Sequence, residues 1–486
     1  MSGCRNFVKI NFTIMSNSMS LNAGTLFEKR WAALAVLCTA QFMVIMDTSI
    51  IGVALPAIQS ALNYTPSALQ WIFNAYVIVL GGMLLLGGKL SDLYGSKNIF
   101  LWGFAILTLA SLLTGLAWSE TSMNVGRALQ GLGSALIAPA ALNLLMSIFT
   151  DPKELGKAFG FWGASAAAGG SAGVFLGGVL TEYMSWRWVF FINIPMGIIV
   201  MLFGASLLMN GSKVRGKIDY LSAILVTAAT MLIVYTLVMV EQNGWSSLTT
   251  ISLFAIALVL LIVFIAIQKN SKSPLLPLSI FKAPNLSAAN LVMALMAGAW
   301  IPMWFYLNLY LQQTLGYSAF WSGVALLPMT IAIMILMVGV SGKMIERFGV
   351  KNNLVAGLIV LTASLVWFST VSVDGNFLVD VLGASLLGAI GMSLAYIPGT
   401  MAAMSGAKPE ETGLASGLVN TTYQVGSAIG LAIVVAIAIA ITNGLSIDGT
   451  VSKEALTEGF QGAFRTAAII GVLGTLVAVV GIKSPK

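Results

Sequence analysis

Residues 88–98 read GKLSDLYGSKN, and residues 342–352 read GKMIERFGVKN. Glycine, lysine, an acidic residue, glycine, lysine and asparagine recur in the same order, each 254 residues after its counterpart. Each stretch follows an apolar run long enough to cross a bilayer. The constant offset predicts two structurally similar halves in parallel orientation. Chance similarity between two short basic loops is the alternative.

The composition extends this interpretation to the whole chain. Of its 486 residues, 58% are hydrophobic and 8% are charged, whereas roughly 25% are charged in an ordinary soluble domain. The mean hydropathy is +0.94. Such values exclude a water-soluble globule and predict a polytopic membrane protein.

The absence of histidine from the sequence narrows the possible chemistry. It excludes imidazole zinc sites, Ser-His-Asp triads and histidine relays, so any proton chemistry must use carboxylates. Only one carboxylate lies deep in an apolar run, which argues against an intramembrane enzyme, and no catalytic residue or metal site is expected. Gly82–Gly87 has the glycine spacing of a phosphate-binding loop, but Gly88 replaces its lysine, so ATP hydrolysis is not expected.

Fourteen apolar stretches predict fourteen transmembrane helices, spans 1 to 14, in an all-α fold. They cover residues 31–54, 69–88, 98–118, 122–146, 157–180, 187–209, 219–240, 248–267, 286–311, 321–341, 352–371, 378–403, 418–441 and 463–482. We expect four parts, which are a polar tail (1–30), a six-helix half (31–210), an inserted pair with its basic link (spans 7 and 8, 211–270) and a second six-helix half (271–486).

Lysine and arginine are distributed unequally between the loops. With the N-terminus inside, 20 of the 24 basic residues fall on the inside, which is typical of cytoplasmic loops. The same topology accounts for the net charge of +7, so nucleic acid binding is not indicated. We expect both termini in the cytoplasm and a monomer surrounded by lipid in the cell membrane.

Two six-span halves in parallel repeat are typical of transporters that rock about a central site. In its repeated loops and its number of spans, the sequence resembles the major facilitator superfamily, specifically the fourteen-span drug:proton antiporters of bacterial multidrug efflux, over most of residues 31–482. The resemblance implies alternating access, export of lipophilic cationic drugs in exchange for protons, and antibiotic resistance, with the proton as coupling ion and no other cofactor. A proton-coupled importer or exporter of a nutrient or metabolite would have the same fold.

Asp47, in the sequence MDTS of residues 46–49, is the only acid well inside a span, and it resembles the first-span signature of that family. A charged aspartate at the bilayer centre costs roughly 2.5 to 3.5 kcal/mol on insertion scales, so such residues usually face a cavity and serve a function. Burial favours the protonated acid and a nearby cation favours the carboxylate, so a group under both influences can exchange a proton. A static polar contact between helices is the alternative.

Arg127 opens the sequence RALQGLG of residues 127–133, which includes Gln130, Gly131 and Gly133 and resembles the family's fourth-span motif for proton transfer. Counting 1.5 Å per residue from the ends of spans 1 and 4 places Arg127 and Asp47 near the same depth. We expect both to face one internal polar region, where Arg127 biases the protonation of Asp47. An arginine that snorkels to the outer interface is the alternative.

Glycines in span 5 recur every four residues, at Gly169, Gly173 and Gly177, with Gly178 adjacent. This spacing puts three of them on one helix face, and we expect that face to contact the opposite half and slide against it. It resembles the family's antiporter motif, although Val174 stands where that motif has proline. Simple helix packing is the alternative.

The repeated loops make physical sense as cytoplasmic latches that hold the two halves together. Glycines permit the tight turns, and Asp92 could accept hydrogen bonds from the N-terminus of a neighbouring helix. Topogenesis by Lys89 and Lys97 is the alternative, and Ser96 stands where the family usually has a basic residue. The predicted latch residues are Gly88, Lys89, Asp92, Gly95, Lys97, Gly342, Lys343, Glu346, Arg347 and Gly349.

Polar and aromatic residues within spans are candidates for the wall of a substrate cavity, and lipid-facing aromatics are the alternative for each. They are Gln41, Trp71, Asn74, Tyr76, Trp300, Trp304, Tyr306, Asn308, Tyr396, Asn420 and Tyr423. Another family-like pattern, from Trp186 through Asn193 to Gly197, is interpreted as aromatic anchoring at the outer interface.

Overall fold

The computed structural model describes residues 29–64, 66–69, 71–209, 219–271, 274–408, 411–445 and 452–483. Those residues form helices joined by short connections, without β-strands. Residues 1–28 of the predicted tail lie outside the described residues, as does the basic link at Lys213, Arg215 and Lys217.

The helices are numbered here so that each number matches a predicted span. The first span has two helical segments that meet at Ile50, and the sixth begins with a short turn of helix before Asn193. The bounds are α1 Lys29–Ser49 and Ile51–Leu62, α2 Trp71–Tyr94, α3 Ser96–Gly115, α4 Glu120–Ile148, α5 Pro152–Tyr183, α6 Trp188–Phe191 and Asn193–Leu207, α7 Tyr220–Asn243, α8 Leu248–Asn270, α9 Leu286–Leu309, α10 Ala319–Leu336, α11 Gly342–Phe368, α12 Gly383–Met404, α13 Thr412–Leu445 and α14 Lys453–Gly481.

Within the described residues, thirteen helices are long and apolar enough to cross a membrane. One of them, Phe320–Phe368, has 49 residues, or about 74 Å at 1.5 Å per residue, which is more than twice the roughly 30 Å of a bilayer core. Its backbone is not helical at Gly349, where φ is 78° and ψ is 168°. It therefore contains two spans, α10 and α11, and the structure holds the fourteen crossing segments that the sequence predicts.

The two repeated stretches form the same kind of turn. Gly95 has φ 89° and Gly349 has φ 78°, a backbone region that residues with a Cβ rarely adopt. A glycine is therefore required at both positions, 254 residues apart. These turns lie at one end of the bundle, which we call the latch end.

The helices pack in two groups whose contacts repeat. In the first group α2 packs against α4, α3 against α4 and α6, and α1 against α5. In the second group α10 packs against α12, α11 against α12 and α14, and α9 against α13. The groups meet through two equivalent pairs, α2 with α13 and α5 with α10, as parallel repeats related by an axis along the bundle require.

The inserted helices lie on one side of the bundle. α7 packs against α2 of the first group and α13 of the second, and α8 packs against α7. The Thr230 hydroxyl donates a hydrogen bond to the Gly82 carbonyl oxygen at 3.1 Å, and the Trp71 and Tyr235 ring centroids are 6.0 Å apart. The pair therefore covers the seam between α2 and α13. The residue boundaries of the four predicted parts stay predictions.

Candidate functional site

A buried ion pair lies inside the first group of helices. Nη1 of Arg127 on α4 donates a hydrogen bond to Oδ2 of Asp47 on α1 at 2.8 Å, and both side chains are fully buried. Two opposite charges taken out of water are compensated only if the rest of their hydrogen-bonding capacity is also satisfied. The residues around the pair therefore decide what it can do.

Two amides complete the surroundings of the Asp47 carboxylate. Its Oδ1 accepts from Nε2 of Gln130 at 3.0 Å and from Nδ2 of Asn193 at 2.6 Å. Gln130 also donates to the Ser111 hydroxyl at 2.8 Å and accepts from Arg127 Nη1 at 2.9 Å. Helices α1, α3, α4 and α6 thus meet in one hydrogen-bonded network, all of whose side chains are buried.

Arg127 is held on its other side by α2. Its Nε donates to the Ile72 carbonyl oxygen at 2.9 Å, and its guanidinium carbon lies 4.4 Å from the centre of the Tyr76 ring. The Tyr76 hydroxyl donates to Ser134 at 2.9 Å. Tyr76 is fully buried and packs on Arg127 in this conformation. The expectation that it lines an open cavity is therefore not met here.

Glycines in the fourth-span motif let the neighbouring helices approach this network. A Cβ on Gly131 would overlap the backbone of Tyr76 on α2, and one on Gly133 would meet the backbone of Gly103 and Leu107 on α3. Within this motif Gln130 thus contacts Arg127 directly, whereas Gly131 and Gly133 bring α4 close to α2 and α3.

Asp92 joins the two groups at the latch end. Its carboxylate accepts from the backbone N–H groups of Gly413 at 2.8 Å and Leu414 at 2.9 Å, in the first turn of α13. Negative charge is favourable at a helix N-terminus because free N–H groups and the helix dipole point toward it. Gly88 has no room for a Cβ against Gly413, so the close approach depends on both glycines.

The second copy of the repeat makes a different contact. Glu346 pairs with Lys153 at the start of α5 at 2.7 Å, and both side chains are more than half exposed. Solvent screens such a pair far more than the buried contact of Asp92. The two latches are therefore unequal.

Two lysines of the repeated stretches, Lys97 and Lys351, bond within their own groups. Nζ of Lys97 donates to the Ala205 carbonyl oxygen at 2.7 Å, and Nζ of Lys351 donates to that of Val479 at 2.8 Å. Each lysine therefore satisfies a carbonyl at the C-terminal end of a helix, α6 or α14, where positive charge is favourable. Arg347 is exposed, and its guanidinium lies 5.3 Å from the Phe348 ring centre, while Lys343 is exposed and Lys89 is half-buried.

The expectation that the span-5 glycine face contacts the opposite half is wrong. Gly169, Gly173 and Gly177 are buried against residues 42–50 of α1, within the same group. The spacing identified residues that share a face, but it carries no information about the neighbouring helix. Gly178 is half-buried beside this face.

A different face of α5 contacts the opposite group. Gly160 and Gly163 pack against Met337, Val174 lies against Gly323, and the hydroxyl oxygens of Ser171 and Thr330 are 2.5 Å apart. Val174, which departs from the family pattern, therefore lies in the seam between α5 and α10. The helix runs through this position from Pro152 to Tyr183 without interruption.

The candidate cavity residues do not form one cluster. Trp300 and Tyr306 are buried within the second group, and Tyr306 packs on Phe460 with ring centroids 5.7 Å apart. Tyr396 and Tyr423 stack edge-on at 6.0 Å. Half-buried positions are occupied by Gln41, Trp71, Asn74, Trp304, Asn308, Tyr396, Asn420 and Tyr423. Of these, Trp71 contacts the inserted α7, and Asn308 accepts hydrogen bonds from Gln312 and Ser322.

Sequence reasoning missed Asn193 and Ser111 as members of the Asp47 network. Asn193 belongs to the pattern from Trp186 to Gly197, which the sequence analysis assigns to an aromatic anchor, and Ser111 belongs to none of the predicted motifs. A polar amide inside an apolar span is the signal that could have identified Asn193, since such groups need a partner in a membrane. Within the described residues no cluster of three acidic or cysteine side chains could hold a metal ion.

Comparison with known families matches residues 37–431 to the Major Facilitator Superfamily. The chain belongs to the major facilitator superfamily. It is therefore a multi-pass membrane transporter of small molecules and not an enzyme.

Relatives of this chain include proteins named for antibiotic export or resistance. The chain is 36% identical to a cephamycin export protein of Amycolatopsis lactamdurans, over 82% of this chain and 83% of that protein. It is 32% identical to a puromycin resistance protein of Streptomyces alboniger, over 92% and 90% of the two chains. Both relatives are matched over most of their length.

Solved structures of the superfamily have the same fold. The match to the human organic anion transporter MFSD10 covers 92% of this chain and 99% of that chain, with a TM-score of 0.66. The match to the proton:xylose symporter XylE covers 94% of this chain and 97% of that chain, with a TM-score of 0.67. Both are 12% identical, so the likeness concerns the fold alone.

Proposed function

We propose that this transporter exports lipophilic compounds, drugs or toxic metabolites among them, in exchange for protons that bind at Asp47. The buried Asp47–Arg127 pair carries this proposal because Asp47 is the carboxylate with the deepest position in the spans. The names of the cephamycin and puromycin relatives support export. Both termini and the latch end would face the cytoplasm, as the distribution of lysine and arginine indicates.

Protonation would change the charge of the pair. With Asp47 ionised the pair is neutral, and with Asp47 protonated it carries the single positive charge of Arg127. A protonated carboxyl group holds a guanidinium less tightly than a carboxylate, so α1 and α4 would be freer to move apart. The proton-motive force supplies about 2.3 kcal/mol per elementary charge per 100 mV.

The packing supports a route from Asp47 to the seam between the groups. α1 is bound to the glycine face of α5, and the other face of α5 contacts α10. A shift of α1 would therefore move α5 against the opposite group. In the present conformation the groups are in contact at the latch end, through Asp92, and toward the other end, where Val174 of α5 lies against Gly323 near the start of α10.

A cationic cargo, which the family resemblance implies, would have to compete with Arg127 for the Asp47 carboxylate. Asp47 is fully buried here and binds three donors. We propose that such competition occurs in the conformation open to the cytoplasm, which links cargo binding to proton release. A neutral cargo would act without touching Asp47. The proton-coupled importer is not favoured, because two relatives that cover most of the chain are named for antibiotic export or resistance.

The test uses purified protein in liposomes with an imposed pH gradient. Proton release is followed while cationic and neutral lipophilic dyes are added separately. We expect cargo to trigger proton release in the native protein and in Asp374→Asn, which removes an exposed loop carboxylate, but not in Asp47→Asn. Coupling that survives Asp47→Asn would exclude Asp47 as the proton site, and cargo and protons moving together would indicate import.

A further inference from the structure

The side-chain amide of Asn193 forms a hydrogen bond through its nitrogen, whereas its oxygen has no partner among the described residues. Nδ2 donates to Asp47 Oδ1 at 2.6 Å, whereas Oδ1 of Asn193 is buried with no hydrogen-bond partner among the described residues. Buried polar atoms are nearly always satisfied, and leaving one unpaired is unfavourable. An unused acceptor this close to the carboxylate therefore requires an explanation.

The two protonation forms of Asp47 need different partners. An ionised carboxylate only accepts hydrogen bonds, and here it accepts from Arg127, Gln130 and Asn193. A protonated carboxyl group has one O–H that must donate. Gln130 Oε1 already accepts from Arg127, so among the described groups that bind Asp47, the Asn193 carbonyl is the acceptor left without a partner.

We propose that Asn193 is a positioning residue that serves both protonation forms of Asp47 by turning its amide. A hydronium ion that reaches the pair transfers its proton to Asp47 Oδ1 and leaves as water, the amide makes a half-turn about its Cβ–Cγ bond, and the Asn193 carbonyl accepts the new O–H. Release of the proton reverses these steps, and Arg127 stays cationic on Oδ2 throughout. This inference rests on the proposed proton exchange at Asp47.

The neighbouring helices add few other groups that could titrate. Arg127 on α4 and Tyr76 on α2 are the charged and titratable side chains of the described network. α3 contributes the Ser111 hydroxyl through Gln130, and α5 presents its glycine face to α1. An amide that turns is therefore the simplest way to give the buried acid a partner, since among the described side chains that bind Asp47 the Asn193 carbonyl oxygen is the acceptor with no hydrogen bond at all.

The decisive measurement is an infrared difference spectrum between low and high pH on the protein in lipid, with asparagine side chains carbon-13 labelled. A carboxylic acid band that is lost in Asp47→Asn reports the proton. We expect one asparagine carbonyl band to move to lower wavenumber with it, because accepting a hydrogen bond weakens the C=O bond. That band should be missing in Asn193→Leu and retained in Asn290→Leu, a buried asparagine of α9 whose amide atoms both have partners.

The outcomes separate this inference from the function on which it rests. A carboxylic acid band with no asparagine shift means that Asn193 only donates, which overturns the inference and leaves proton exchange standing. No carboxylic acid band at any pH means that Asp47 does not take the proton, which overturns both.

Transport gives a second readout. We expect Asn193→Leu to reduce proton-coupled export by roughly tenfold or more, since both forms of Asp47 lose a partner. Asn193→Ser should retain more activity, because a hydroxyl can both donate and accept. Thermal unfolding in detergent identifies variants that fail to fold. A folded Asn193→Leu protein with the native rate and pH profile would contradict the inference.

Discussion

The Ser49 hydroxyl donates a hydrogen bond to the Gly169 carbonyl oxygen at 3.2 Å, which fastens α1 to α5 two residues beyond Asp47. Two residues beyond Gly169 on α5, the Ser171 hydroxyl meets Thr330 of the opposite group. The proposed proton site is thus connected by packed side chains to the seam that would open in alternating access. The predictions on transport follow from this connection.

Gly173→Ala should uncouple α1 from α5. A Cβ at this position would overlap the Ser49 hydroxyl and crowd the backbone of α1, and overpacking of this kind costs roughly 1 to 3 kcal/mol. We expect lower thermal stability in detergent and loss of most export. Gly170→Ala is the matched control, because its Cβ would lie 3.9 Å from Ile45 in ordinary contact. Equal behaviour of the two variants would show that the glycine face has no special role.

A double-mutant cycle should show strong coupling between Asp47 and Arg127. Removal of one partner leaves a buried charge unpaired, which costs roughly 3 to 5 kcal/mol, whereas removal of both leaves none. Asp47→Leu and Arg127→Leu should each unfold at a lower temperature than the double variant. Arg127→Lys should behave like a loss, because an ammonium cannot reach Asp47, Gln130 and Ile72 in the planar arrangement of a guanidinium. Additive effects in the cycle would indicate that the pair contributes little.

Much of this fold could be predicted because its determinants are local. Apolar length gives the spans. The two equivalent turns could be recognised because a positive φ strongly favours glycine, which the sequence has at Gly95 and Gly349. The common depth of Asp47 and Arg127 follows from counting residues along two helices. Each of these inferences needs only the rise of a helix and the thickness of a bilayer.

The neighbours of each helix face could not be predicted in the same way. Gly169, Gly173 and Gly177 share a face, yet only the packing assigns that face to α1 rather than to the opposite group. The sequence makes Tyr76 a candidate for the cavity wall, whereas the structure places its ring against Arg127. Asn193 is similar, since its aromatic surroundings in the sequence suggest an interface and its amide contact depends on the angle of α6.

The two latches should respond differently to neutralisation. Asp92→Asn removes the charge that holds the N-terminus of α13, and we expect the population closed at the latch end to fall by roughly tenfold. Glu346→Gln removes an exposed pair with Lys153, so its effect should be smaller and should vanish in high salt. Distances between spin labels on α2 and α13 measure the population closed at the latch end in each variant. A larger effect for Glu346→Gln than for Asp92→Asn would contradict the assignment of Asp92 as the stronger latch.

The inserted helix α7 should brace the seam between α2 and α13 without taking part in proton exchange. Gly82 lies against Met231, and a Cβ there would overlap that side chain, so Gly82→Leu should push α7 away from α2 and break the Thr230 hydrogen bond. We expect lower export with an unchanged pH profile, because the Asp47 network contains no residue of α7. Gly52→Ala, where a Cβ has open space, is the control and should transport normally. A shifted pH profile in Gly82→Leu would mean that a displacement of α7 reaches the proposed proton site through α2, whose Tyr76 packs on Arg127.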